Sequence, residues 1–587
     1  MVVEVDKHLL PMKGHYFLFN AGTAPVVPFI PTLAKQLGYS SVIVGIIYTI
    51  LPIVGLISKP LFGAIGDRFH IQKRLFIIFQ LVIIISFFAI NFIPSIPSNS
   101  EFHCHNGVTL MKFCPPNLNE IDKCIIEQVV DENNTDTFGS HMKCEKNSAW
   151  SSICSNWNVP GLCESSDKQF TINTHVAHNR IEKLGDCFHL VFSNGTIGGH
   201  STTLYCPGDK QKVEMKCQVD FESETVNELF AGATDDQVKT TYQFWTFFMM
   251  LIISWAGMAV VVSVGDAICF EMLGNKPQRF GSQRLWGSVG WGTFSIIAGL
   301  LIDKFSEGKT SKDYSIGFYL MAGALAFDML VSSRLKHTQT KLSTNILKDV
   351  GKIFKSFRVI VFFIWCICVG IGTAMVWNFL FWHLENLAAT QESCAYDSSM
   401  KTLQGLVMGI QCFGGEVPFF FLSGKLLKKI GHINAMNLVL VGFVLRFFLY
   451  SILTNPWYVL PIELLNGVTF GVFYATMASY ASSVAPQGTE ATLQGLVGAV
   501  FEGIGVSTGS FIGGILMDKY GGSLAFRFYA FAFAIFFVLH FVIQWILERI
   551  YGPHEFHCDY EQPYNTIASD AFFFDDSDLQ QPIIVRK

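Results

Sequence analysis

"GAIGDRFHIQKR", residues 63–74, gathers two glycines, one aspartate and three basic side chains into a short stretch between "VGIIYTILPIVGLI" (44–57) and "LFIIFQLVIIISFFAINFI" (75–93). Runs of that apolarity on both sides point away from a soluble surface turn. Composition agrees: charged residues make up 15% of the 587, against about 25% in soluble domains. Hydrophobic residues reach 50%, with 55 Phe, and mean hydropathy is +0.38. The apolar runs recur at about 20 residues, the length that crosses a bilayer as a helix. The net charge of −5 gives no reason to expect a nucleic-acid partner.

Twelve spans are predicted, at 14–35, 41–62, 74–94, 243–265, 285–302, 314–333, 358–383, 403–423, 434–454, 457–480, 493–516 and 525–547. The first 13 residues carry Glu4, Asp6, Lys7 and Lys13 and lack the basic start and cleavage site of a signal peptide, so the first span is expected to stay as an anchor. The short loops that share a side with 63–74 hold 16 Lys/Arg against 7 on the other side. The positive-inside rule then puts 63–74 and both termini in the cytosol.

Segment 95–240, between the third and fourth spans, is polar and on the outer side. It holds Cys104, Cys114, Cys124, Cys144, Cys154, Cys163, Cys187, Cys206 and Cys217, and the chain's two N-x-S/T sequons, at Asn133 and Asn194. Cys394, in another outer loop, brings the cysteines to ten. A glycosylated, disulfide-rich ectodomain is expected, with its pairing left open. His103 and His105 flank Cys104 without a second zinc half-site, so no metal is expected.

An internal repeat organises the spans. "RLWGSVGWGTFSIIAGLLIDKF" (284–305) aligns without gaps on "AVFEGIGVSTGSFIGGILMDKY" (499–520) with eight identities, among them Ser295/Ser510, Gly299/Gly514 and Asp303/Asp518. A turn related to 63–74, "GKLLKKIG", starts at Gly424. Gly63 to Asp303 exceeds Gly424 to Asp518 by 146 residues, the length of 95–240. The fold class predicted is an all-α integral membrane protein of twelve transmembrane helices in two parallel six-helix repeats, with a disulfide-rich extracellular insertion. Its parts are a cytosolic N-terminus (1–13), a first bundle (14–333) carrying 95–240, a basic cytosolic linker (334–357), a second bundle (358–547) and an acidic cytosolic tail (548–587).

"GAIGDRF…KR" resembles the loop signature of the major facilitator superfamily, departing from it at His70, where glycine is usual. "QRLWGSVGWG" (283–292), preceded by "GDA" (265–267), and "GEVPFFF" (415–421) resemble a narrower branch. That branch holds the animal major facilitator superfamily domain-containing protein 6 group and is related to bacterial lactose and nucleoside proton symporters. The resemblance covers the spans and not the insertion. It implies a transporter and leaves the solute open.

If two bundles rock, charged turns at their cytosolic ends can lock one state. Asp67 and Arg68 suit this, as do Asp266 and Glu271 facing Arg284, whereas Lys73 and Arg74 read as topogenic charge. Ionisable groups inside spans are functional by default. Glu416, Arg446, Glu463 and Glu502 stand out, all in the second half, and an acid neutralised by a proton is what a proton-coupled carrier needs. The bland reading is an Arg446–Glu pair that fixes packing. "FNAGTAPVVPFIP" (19–31), with Asn20 and three prolines, is expected to break its helix beside a central cavity, and Asn378 in the seventh span to face the same cavity.

The expected activity is secondary transport, as a proton-coupled symporter of a small polar organic solute, with the proton as coupling ion and no cofactor. The alternative is a surface receptor that binds an extracellular protein ligand through 95–240. No enzyme constellation is present: "HEFHC" (554–558) is not HExxH, and the GxGxxxG at 503–509 has no preceding strand. The expected partners are the lipid bilayer and a small-molecule substrate, in a plasma or endosomal membrane.

Overall fold

The computed structural model describes residues 9–69, 71–96, 98–105, 108–113, 137–146, 168–184, 187–204, 213–222, 235–273, 280–307, 311–335, 357–389, 399–484 and 490–552, with positions 150, 154, 157, 159, 163, 226 and 309. The N-terminal residues 1–8, most of the linker, and the tail beyond 552, including "HEFHC", lie outside the described residues.

The opening span breaks where its prolines fall. Helix α1 is Leu10–Thr23, a 3-10 turn covers Val27–Phe29, and α2 is Ile30–Gln36. Pro25, Pro28 and Pro31 each lack the N–H that a continuous helix needs. Gly38, at φ 93°, then reverses the chain, and Leu37 O accepts a bond of 2.9 Å from Ile96 N at the entry to the insertion. The end of α2 and the insertion therefore share one end of the molecule.

Helix α3 is Ser41–Phe69 and α4 is Gln72–Ile90, so most of "GAIGDRFHIQKR" is helical and the turn is far shorter than its composition suggests. After the insertion come α5 (Asp235–Val238), α6 (Tyr242–Leu273), α7 (Phe280–Phe305) and α8 (Ser315–Ser332). The second half holds α9 (Phe357–Ala389), α10 (Met400–Ile410), α11 (Val417–Ser451), α12 (Val459–Ile462), α13 (Phe473–Val484), α14 (Glu490–Ala499) and α15 (Ser507–Tyr551). Gly431 (φ 76°) breaks α11 and Gly521 (φ 71°) breaks α15. Among the described residues, ten stretches are long and apolar enough to cross a membrane. Their outward faces carry exposed Ile85, Leu330, Phe531 and Ile535, as lipid contact requires.

The repeat reappears as packing. A Cβ on Gly299 of α7 would collide with Lys401 O and Gly405 of α10, and one on Gly405 would meet Ser295 O. In the mate, a Cβ on Gly514 of α15 would collide with Ser41 O and Gly45 of α3, and one on Gly45 would meet Ser510 O. The aligned pairs Ser295/Ser510 and Gly299/Gly514 thus make the same two helix contacts, one on each side of the molecule. Small residues that let backbones approach are how membrane helices pack.

The insertion corrects the all-α expectation. It is a nine-stranded antiparallel sheet in the order β5-β6-β2-β1-β9-β3-β4-β7-β8. In chain order its strands are Ser98–His105, Val108–Phe113, Thr137–Glu145, Gln169–Ala177, Ile181–Leu184, Cys187–Phe192, Asn194–Ile197, His200–Thr203 and Val213–Phe221. Alternation along β4 turns Phe170, Ile172, Thr174 and Val176 inward, and Trp150 and Trp157 help cover that face. Cys144 and Cys217 pair between the neighbouring strands β3 and β9, and Cys154 pairs with Cys163 in the covering segment. The side chains of Cys104, Cys114, Cys124, Cys187, Cys206 and Cys394 lie outside the described ones, as does Asn133. Asn194 is exposed at the start of β7.

Candidate functional site

At the insertion end the two halves are held together by polar groups. Lys401, at the start of α10, is buried and ion-paired with Glu385 of α9. Its Nζ also donates to Thr32 of α2 at 3.1 Å, and Tyr314 donates to the same hydroxyl at 3.1 Å. From the other half, Lys35 Nζ donates to Asn386 at 2.7 Å and lies 3.7 Å from Glu385. Asp303, at the end of α7, receives the backbone N–H groups of Lys401 (3.2 Å) and Thr402 (2.6 Å), which open α10, and Lys312 Nζ at 3.1 Å. A carboxylate on a helix N-terminus is a favourable contact. The predicted spans 358–383 and 403–423 leave Glu385 and Lys401 in the loop between them. They sit at helix ends, inside a seal between the halves.

Further from the insertion the seam becomes wetter. In α7, Arg284 Nη1 is 2.7 Å from Asp266 of α6, and Tyr16 of α1 donates to the same carboxylate at 2.8 Å. Arg284 keeps 42% of its side chain exposed and is in electrostatic reach of Tyr474 and Glu502 in the other half. Lys59 of α3 pairs with Glu502 at 3.2 Å, both about half exposed. One turn after Arg284, Ser288 Oγ donates to Glu416 Oε2 at 3.1 Å across the seam. Asn20 donates to Tyr16 O at 2.9 Å and lies against Gly287 of α7. The facing wall is aromatic. Trp377 of α9, 42% exposed, has ring neighbours in Phe470 (6.0 Å) and Phe501 (6.4 Å), and Phe470 neighbours Tyr474 (6.1 Å).

Three wide (π) helical turns supply this wall: Gln411–Glu416, Gly467–Val472 and Val500–Val506. Each carries one or two of its residues, Glu416, Phe470, and Phe501 with Glu502. Wide turns loosen the backbone register, so they cost stability and cluster at functional sites.

Two buried networks flank the crevice. Arg446 is 2% exposed and donates to Glu463 (2.6 Å), Tyr450 (2.7 Å), Asn466 (2.9 Å) and Thr469 (2.7 Å). Glu463 also accepts from Tyr450 (2.5 Å) and Gln411 (2.7 Å). Asn466 packs against Gly415, the neighbour of Glu416, so the network ends beside the crevice. In the first half, Asp328 of α8 bonds His15 Nδ1 at 2.9 Å and accepts from Gln80 at 2.8 Å and Ser332 at 3.2 Å, all four side chains being buried.

The sequence-predicted residues fare unevenly. Asp266 meets Arg284, and Arg446 meets Glu463. Glu502, named as an ionisable group inside a span, is half exposed and pairs with Lys59. Asn378 was expected on the cavity and is instead buried, donating to Ser510 of α15 at 2.8 Å. Arg68 is exposed, with its guanidinium 5.8 Å from the Phe69 ring. The side chains of Asp67 and Glu271 lie outside the described ones. Ionisable groups were read in the second half alone, which the His15–Asp328 pair corrects. Asp328 was detectable as the single acid in the apolar run 314–333. Among the described residues, no group of three or more His, Cys, Asp or Glu side chains is placed to hold a metal.

A model described as the MFS_1 like family matches residues 9–528. Major facilitator superfamily domain-containing protein 6-like protein B of Xenopus laevis is 23% identical, over 98% of this chain and 96% of its own length. Maltose permease of Geobacillus stearothermophilus is 21% identical over 48% of this chain and 68% of its own. The crystal structure of the nucleoside transporter NupG superposes with a TM-score of 0.55 at 13% identity, covering 91% of this chain and 98% of that one, a likeness of fold.

Proposed function

The chain belongs to the MFS_1 like family, and from that premise we propose that it is a proton-coupled secondary active transporter that carries a small polar organic solute by alternating access. The observation that carries the reading is the asymmetry of the seam. One end is shut by hydrogen bonds and ion pairs that all cross between the halves or brace those that do. Further along the seam stand a half-exposed arginine, a carboxylate and an aromatic wall. Polar contacts of this kind exchange for water at modest net cost, about 0.5–1.5 kcal/mol each, so the seal can open and re-form.

Breaking α11 at Gly431 and α15 at Gly521, and joining α10 to the start of α11, gives twelve spans in two bundles of six. The basic loops then orient both termini to the cytosol, in a plasma or endosomal membrane, with the insertion outside and a glycan on Asn194. Glu416 is the proton carrier in this reading: it lies at membrane depth and reaches across the seam to Ser288. That one relative is named a permease for maltose and one fold neighbour a transporter for nucleosides supports a small polar organic solute as cargo. The receptor alternative draws on the separate apolar core of the insertion.

The test uses full-length protein in liposomes that enclose a pH-sensitive dye, challenged with a library of small solutes. Solute-dependent proton movement in wild type, lost in Glu416→Gln, supports the reading. Protein that moves neither labelled solute nor protons, yet binds an extracellular protein, moves the conclusion to the receptor.

A further inference from the structure

The basic groups along the seam are spoken for. Arg284 is on Asp266, Lys59 on Glu502, Lys401 and Lys35 on Glu385, Lys312 on Asp303, and Arg446 on Glu463. Glu416 is different. Its carboxylate accepts from Ser288 and, among the described residues, has no cation within ion-pair distance. The charged and titratable groups on the elements around it include Arg284 on α7, Arg446 and Tyr450 on α11, Glu463 beyond Gln411, Lys401 at the far end of α10, and Cys412 on its own turn; α7 ends with Asp303 and Lys304, and α11 carries Lys425, Lys428, Lys429 and His432 further along. The two arginines and Lys401 each hold another carboxylate. An ionised carboxylate at membrane depth with no cation of its own is a costly arrangement, relieved when it takes a proton or when something else supplies the positive charge.

The aromatic wall indicates what that is. Asn466, which packs against Gly415, lies about one turn from Phe470, and the Cα of Glu416 is within contact range of a Cβ placed on Gly471. The turn that carries Glu416 thus packs on the turn that carries Phe470, whose ring neighbours Trp377. Ring faces carry negative potential and attract cations that are weakly hydrated, organic ammonium heads above all. A metal ion is a poor fit, because it needs several oxygen ligands where this wall offers rings.

We infer that the crevice binds a monovalent organic cation with an alkylated or aryl-substituted ammonium head, its charge on Glu416 and its apolar groups on Trp377, Phe470 and Phe501. The inference rests on the transporter reading and narrows it. The cation and the proton share one carboxylate, so each displaces the other. The cycle is then an exchange, with the cation bound when Glu416 is ionised and released when Glu416 takes a proton, in place of the symport expected from the sequence. No covalent step is involved.

The probes are choline, benzyltrimethylammonium, and dimethylbutanol, the uncharged isostere of choline in which carbon replaces the quaternary nitrogen. Their binding is read by thermal shift and by tryptophan fluorescence on the purified full chain. Both cations should raise the melting temperature, and dimethylbutanol should not. Trp377→Leu should weaken cation binding about tenfold, while Trp377→Phe retains part of it. Glu416→Gln should abolish it at an unchanged melting temperature of the free protein. An equal shift with dimethylbutanol, no shift with either cation, or undiminished cation binding in a folded Glu416→Gln protein would each overturn the inference. None of these outcomes decides whether the protein transports, because opening of the seal is read separately by cysteine labelling.

Discussion

Ser288 of α7 and Glu416, the last residue of a wide turn before α11, meet at 3.1 Å with one residue from each half of the chain. The contact spans the seam across which the two halves would rock. Protonation of Glu416 changes what it can offer Ser288 from a charged acceptor to a weaker neutral one. Charge state and the fit of the halves are thereby linked at a single hydrogen bond.

Glu416→Gln keeps the size and one acceptor of the side chain and removes its charge. Proton movement driven by solute should fall to background in proteoliposomes, while the melting temperature stays near wild type. Ser288→Ala should weaken solute-driven proton movement without abolishing it and cost about 0.5–1.5 kcal/mol of stability. Wild-type pH dependence in Glu416→Gln would contradict the assignment of this carboxyl.

Arg446 answers to packing. Its ion pair with Glu463 is buried and surrounded by Tyr450, Asn466 and Thr469. Arg446→Ala leaves a buried carboxylate without its cation and should cost about 3–5 kcal/mol. The double variant Arg446→Met/Glu463→Leu removes both charges and should recover most of that loss in thermal melts. A double variant as unstable as the single one would argue that Arg446 serves another group.

Asp328 accepts from Gln80 and Ser332 and bonds His15 inside the first half. Asp328→Asn puts an amide NH₂ against donors and should lower surface abundance, each buried group left unsatisfied costing about 1–3 kcal/mol. Adding His15→Gln should restore part of it. If both variants reach the surface at wild-type levels, the cluster is not a staple of the bundle.

The insertion has its own core, but its exit is tied to the bundle: Asp235 accepts from Ser40, just before α3, at 2.7 Å. Replacing 98–234 by a short Gly/Ser linker keeps that contact. The protein should insert and move solute at a wild-type rate per molecule, since loop length costs about 0.6 kcal/mol per doubling. A version that reaches the surface without transport would make the sheet part of the seal.

The repeat was legible because packing demands it: Gly299 and Gly514 admit no side chain where helices touch. The proline break in the first span was legible for the same kind of local reason. The partner of Arg446 could be narrowed to a glutamate of the second half and no further, because the register between α11 and the residues around Glu463 is set by tertiary contact. The wide turns at Glu416, Phe470 and Glu502 left no sequence signal, since a π turn is a response to packing. Glu385 and Lys401 read as loop residues because polar side chains at span ends look the same whether they face water or each other. The sheet was missed although "QFTINTHVA" alternates visibly; the cysteines and sequons drew the reading toward pairing and away from period.

The most direct test of alternating access is the accessibility of Gln404, which is fully buried behind the Lys401–Glu385 seal and donates to Glu385 at 3.0 Å. Gln404→Cys in intact cells is treated with a membrane-impermeant thiol reagent, with and without Lys401→Ala. Labelling should be slow when the seal is intact and should rise severalfold when Lys401 is removed. Equal labelling in both backgrounds, fast or slow, would contradict a seal that opens and closes between the two halves.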